Sequence, residues 1–78
     1  MKERNKFYFT FGSDKDYPYQ NTYLIVIADC MGEAMTKFTS KYPNRHFNCI
    51  NCAFYYDEAT WNKSIKLFYP KEPAEIIE

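Results

Sequence analysis

Glycine is nearly missing from this chain, with two in 78 residues. Loops that cradle phosphates are built from several glycines at fixed spacing, so P-loop and dinucleotide-binding fingerprints are excluded. Proline is also scarce, at four, beside 46% hydrophobic and 26% charged residues, so the composition is not that of a disordered tail. Cysteine is too sparse for a secreted disulfide scaffold: there are three, an odd number. Together with an N-terminal Met-Lys-Glu-Arg-Asn-Lys that lacks the apolar region of a signal peptide, this makes a reducing cytoplasm the expected compartment. Neither charge sign is in excess: ten basic residues face ten acidic ones. A general nucleic-acid binder carries a basic excess, so direct DNA binding is not expected. The longest apolar run, Tyr23 to Ala28, is strand length, so no membrane partner is expected either. With a single histidine and no serine in a nucleophile-elbow setting, the chain reads as a non-enzyme with no cofactor.

What the chain does have is aromatic side chains: eight Tyr, seven Phe and one Trp, 21% of the whole. A domain of this size buries only about 60–65% of its unfolded surface. Large rings bury much area each, which is one way to build a core from few residues. The chain reads as a single domain, 1–78, with a charged lead-in at 1–5 and an acidic, proline-containing tail at 70–78.

Phe7, Phe9 and Phe11 alternate with Tyr8 and Thr10, which predicts a first strand with Phe on one face. Gly12-Ser13-Asp14 ends it, and a polar, Tyr-rich loop follows to Asn21. Thr22–Asp29 is a second strand. Tyr23, Ile25 and Ile27 point one way and Leu24, Val26 and Ala28 the other, so it is central and covered on both sides. Met31, Ala34, Met35, Phe38 and Tyr42 then form one helical stripe, with Asp29 as N-cap and Pro43 as the stop. Phe47–Tyr56 reads as a third strand, with Ile50, Cys52, Phe54 and Tyr56 on one face. Asp57 caps a short helical turn through Trp61. Ile65–Tyr69 reads as a fourth strand in preference to an extension of that helix. The expected fold is α+β: a small mixed sheet in β-β-α-β order, with one main helix packed on one face. A right-handed crossover makes strands two and three parallel, and strand one antiparallel to strand two or beside strand three.

Candidate chemistry is thin. His46, Cys49 and Cys52, with Cys30, contain a C-x-x-C and an imidazole, which is formally a zinc set. In a strand, however, residues three apart face opposite ways, so buried free thiols and no metal are expected. The same setting argues against a Cys–His catalytic pair. Asp14, Asp16 and Asp29 fall far short of a calcium loop and read as solvated charges. The segments with binding character are the turn Pro43-Asn44-Arg45-His46 and the loop tyrosines Tyr17 and Tyr19. Arg45 suits a phosphate or a carboxylate, and Tyr suits an interface. The same residues also read as a solvated turn with a capping Asn and as rings packed over a thin core. Tyr17, Tyr19, Asn44, Arg45 and His46 are therefore the candidate partner-binding set. If strands two and three are parallel, this loop and this turn lie at one end of the sheet and form one surface.

Three segments, Phe7-Tyr8-Phe9-Thr10-Phe11-Gly12-Ser13-Asp14, Tyr42-Pro43-Asn44-Arg45-His46 and Asn51-Cys52-Ala53-Phe54-Tyr55-Tyr56 with Trp61, carry a resemblance. The chain resembles small proteins encoded by phages, prophages and other mobile elements of Gram-positive bacteria, over residues 6–64. The resemblance implies an intracellular accessory protein of the kind that inhibits host defence. Anti-CRISPR proteins, which act by protein contact, and traps for nucleotide signals are two such kinds; a phage structural or accessory domain is the third reading. It implies no catalytic residues. A host defence protein is the expected partner and a nucleotide the alternative ligand. The sequence has no acidic excess with which to mimic DNA.

Overall fold

The computed structural model describes residues 5–44 and 50–78. It is an α+β fold, as expected. In chain order it has β1 (Asn5–Thr10), β2 (Tyr23–Ala28), α1 (Met31–Lys41), β3 (Phe54–Asp57), α2 (Glu58–Lys63), a 3-10 helix (Ile65–Phe68) and β4 (Glu75–Ile77). The four strands form one mixed sheet in the order β3-β1-β2-β4. β1 is antiparallel to both β2 and β3, while β4 lies parallel to β2. β2 and β3 therefore run in one direction, as the crossover rule requires, but β1 lies between them.

The alternation in β1 and β2 places one apolar row on each side of the sheet. Phe7, Phe9, Phe11, Leu24, Val26 and Ala28 face α1, where they meet Ala34 and Phe38. Tyr8, Tyr23 and Ile25 face the other way and meet Trp61 of α2. The helical stripe docks as its spacing predicts: Phe38 is fully buried and stacks on Phe9, centroids 4.6 Å apart and planes 12° apart. Lys37 reaches down from α1 to donate to the Ile27 carbonyl at 2.8 Å.

Four expectations are corrected. Cys30, not Asp29, occupies the N-cap of α1, and it makes no side-chain cap bond. The third strand begins at Phe54, not Phe47; residues 47–49 lie outside the described residues, and 51–53 are bends. A continuous strand would put Ile50, Cys52, Phe54 and Tyr56 on one face. Instead Cys52 is buried in the α1-side core with Ile50 against it, whereas Phe54 and Tyr56 pair with Thr10 and Tyr8 on the α2 side. The bend that ends in Ala53 N–H donating to the Thr10 carbonyl (2.9 Å) makes that change of face. Ile65–Tyr69 is not a strand: i→i+3 bonds from Leu67 to Ser64 and from Tyr69 to Lys66 wind a 3-10 helix. The fourth strand lies instead in the acidic tail, where Ala74 N–H donates to the Tyr23 carbonyl at 2.8 Å and β4 follows beside β2.

Phe38 sits where α1 meets the sheet, so Phe38→Ala should cost about 3–5 kcal/mol, enough to unfold most of so small a domain. Urea titration followed by Trp61 fluorescence measures it. A variant that melts like the parent would contradict this packing.

Candidate functional site

The loop between β1 and β2 brings Tyr17 and Tyr19 back over the core. Both are half-buried, and their rings lie 6.2 and 5.8 Å from that of Phe11. The Tyr19 hydroxyl lies 3.3 Å from that of Tyr42 and donates to Glu75 Oε1 at 3.2 Å; Tyr42 donates to the same oxygen at 2.5 Å. Lys41 makes an ion pair with the other oxygen of Glu75. Its bond to Tyr42, then burial, raises the Tyr19 pKa. Tyr19 is thus part of a polar clasp that ties the first loop to the end of α1 and to β4. Packing over the core, one of its two expected roles, is what it does. The loop does reach the C-terminal end of α1, at Tyr42. Asn44 is exposed just beyond it, while Arg45 and His46 lie outside the described residues.

Cys52 is 4% exposed and burial alone pushes its thiol up to about 12, so it stays protonated and inert at neutral pH. Cys30 is exposed. Among the described residues no three His, Cys, Asp or Glu side chains converge as metal ligands; His46 and Cys49 lie outside them. Among the same residues, no helix is long and apolar enough to cross a membrane.

The α2 side of the sheet is built differently from the α1 side. Its cover is one six-residue helix and one four-residue 3-10 helix. Asp57 starts α2 by accepting from the Thr60 N–H at 2.9 Å, and hydrogen bonding to the Thr60 side chain, then to that N–H, holds its carboxyl below the usual carboxylate range. That cap aims Trp61 at the sheet. Trp61 stacks on Tyr8 (4.3 Å, 3°) and Tyr69 (5.5 Å, 23°) and lies 4.7 Å from Tyr23. Burial raises the pKa of Tyr8 and of Tyr23, whose hydroxyl donates to the Lys71 carbonyl.

Around this aromatic cluster apolar side chains remain in solvent. Phe54 (64% exposed) and Ile76 (56%) share this face of the sheet through their partners Thr10 and Ile25. Leu67 and Phe68, each 76% exposed, project from the 3-10 helix. Of the five large hydrophobics exposed among the described residues, only Tyr55 belongs to the α1 side. Phe68 also borders a recess of about 170 Å³ with Tyr23, Tyr69, Pro70, Lys71, Asn21 and Thr22. Sequence patterns do not point to this surface: they put Phe54 in a core strand, Leu67 and Phe68 in a strand, and Ile76 in a tail. The excess of aromatics over what so small a core encloses was the available signal. Compared with protein-family models, curated proteins and solved structures, the chain matches none.

The Asp57 cap makes stability pH-dependent with a definite sign. Its folded pKa lies below its unfolded value, so its contribution is full above about pH 4 and fades as pH falls through the folded pKa. Asp57→Asn should flatten the loss of melting temperature below about pH 4, and an unchanged profile would count against the cap. A brief iodoacetamide pulse on native protein, mapped by mass spectrometry, should label Cys30 and leave Cys52 unmodified until denaturant is added. Rapid native labelling of Cys52 would show that it is not a core thiol.

Proposed function

We propose that the chain is a non-enzymatic binding protein of phage or prophage origin that acts in the host cytoplasm. It blocks a component of bacterial defence by protein–protein contact. The observation that carries this reading is that Phe54, Leu67, Phe68 and Ile76 are exposed on the thinly covered α2 side, Leu67 and Phe68 next to each other. Adjacent exposed apolar side chains favour an interaction surface over single scattered ones. Leu67 and Phe68 are the natural anchors, because they stand out from the 3-10 helix and reach a partner first. The inert Cys52 thiol also favours contact over thiol chemistry. A chain of zero net charge has no long-range field to collect a partner, so specificity rests on such short-range contacts.

A nucleotide-trap reading draws on the recess beside Phe68. There a base stacks against aromatic rings, and the Lys71 ammonium suits a phosphate.

The test is a plaque assay in a Gram-positive host whose CRISPR system targets the infecting phage. Expression of the chain should restore plaques, and unchanged plaque counts would remove the proposed activity against that system. Phe68→Lys should keep the parent's melting temperature and weaken the contact at least about 30-fold, or roughly 2 kcal/mol. Melting scans with cyclic dinucleotides and ADP-ribose separate the second reading: a trap saturated at 100 times its Kd gains about 2.7 kcal/mol, and a contact inhibitor gains nothing.

A further inference from the structure

β3 is an edge strand: among the described residues no strand lies on its outer side. Proteins blunt edge strands by keeping them very short or by placing charges, proline or a bulge on them. β3 is short and ends in Asp57, but Phe54-Tyr55-Tyr56 carries no charge and no proline. Phe54 and Tyr56 stand on the α2 side with rings 6.5 Å apart, and Tyr55 stands on the α1 side, 46% exposed. The edge therefore presents an aromatic ring to each side of the sheet.

We propose that this edge pairs with a second copy of itself, β3 against β3, antiparallel, with Tyr55 opposite Tyr55 of the second copy. The resulting sheet has eight strands. The two-fold axis runs perpendicular to it, so each face of one copy continues into the same face of the other. Opposed residues of antiparallel strands share a face, so only registers that pair odd with odd positions and even with even are allowed. Centring on Tyr55 pairs Phe54 of each copy with Tyr56 of the other, which makes two aromatic cross-strand pairs on the α2 side and one on the α1 side. Centring on Tyr56 instead sets Tyr55 against Asp57, and centring on Phe54 sets Tyr55 against Ala53; both lose the aromatic match. The centred register also sets the strand's only charge, Asp57, opposite Ala53 rather than another carboxylate. With ten charges of each sign per chain, two copies meet without net repulsion. This self-complementarity under a two-fold is what favours a second copy over an unrelated strand.

β3 is only four residues long, so the contact is small and the dimer belongs with weak interfaces. The inference does not rest on the proposed function. Leu67 and Phe68 lie outside the pairing, and the dimer carries both sets on one side of the sheet.

Sedimentation equilibrium of the purified chain tests it. The parent should pass from monomer to dimer as concentration rises through tens of micromolar, and a monomer persisting to about 1 mM would overturn the proposal. Tyr55→Lys and Tyr55→Glu each place like charges directly opposite on pairing, so each alone should raise the Kd at least about tenfold. An equimolar mixture of the two should dimerise again, because lysine then faces glutamate. Failure of the mixture to associate, or dimers of either variant as tight as the parent's, would overturn the register and the proposal with it. Amide exchange of the parent supplies a readout free of substitutions: protection at Phe54–Asp57 should rise with protein concentration, and concentration-independent exchange there counts against pairing.

Discussion

A central strand that is apolar on both faces is the constraint from which the rest of this structure follows. Tyr-Leu-Ile-Val-Ile-Ala in β2 has no polar side, so water must be kept from both faces of the sheet. A chain of 78 residues has little material for two covers. The first is generous: eleven residues of α1 lay Ala34 and Phe38 over Phe9, Leu24 and Val26, with Met31 and Met35 closing the sides. The second is economical: a single tryptophan, aimed by the Asp57 cap, covers Tyr8 and Tyr23.

The two covers differ in consequence as well as in size. Under α1 the core is hydrocarbon and aromatic ring, and two of the phenols at its rim, Tyr19 and Tyr42, donate to Glu75 in the clasp. That clasp joins three parts of the chain far apart in sequence, and it anchors a three-residue β4 whose own ladder is short. Under Trp61 the cover ends before the sheet does. Phe54 on one edge strand, Ile76 on the other and Leu67 with Phe68 on the 3-10 helix stay in water. A small domain whose aromatic share exceeds its enclosed volume must expose some of it. Among the described residues most of that exposure, Tyr55 excepted, falls on the α2 side, which connects the packing problem to the contact surface proposed above.

Much of the fold was legible in the sequence because period-two and helical patterns are local. Phe7 to Phe11, Tyr23 to Ala28 and the Met31–Tyr42 stripe each state their own face without reference to the rest of the chain. The α+β class follows from their order. The candidate site was less legible. Tyr19 offered two roles, surface ring or cover for a thin core, and only its distance from Tyr42 and Glu75 shows that it covers the core. Cys52 was readable as an inert thiol from its strand-like setting, and it is one, but it packs on the opposite side of the sheet from Phe54 and Tyr56.

By itself, then, the sequence determined that Phe7–Phe11 and Tyr23–Ala28 give strands and Met31–Tyr42 a helix, which faces of β1 and β2 are apolar, and that the charge is balanced. Tertiary structure decided the rest. The change of face before Phe54 depends on a bond from Ala53 to Thr10, 43 positions away in sequence. The 3-10 turn at Ile65–Phe68 yields to the stacking of Tyr69 on Trp61, which outweighs the strand propensity of an Ile-Lys-Leu-Phe run. Three residues between prolines and the chain end become β4 only because β2 presents a free edge beside them. In each case the local pattern leaves the conformation open, and a partner outside the segment makes the choice.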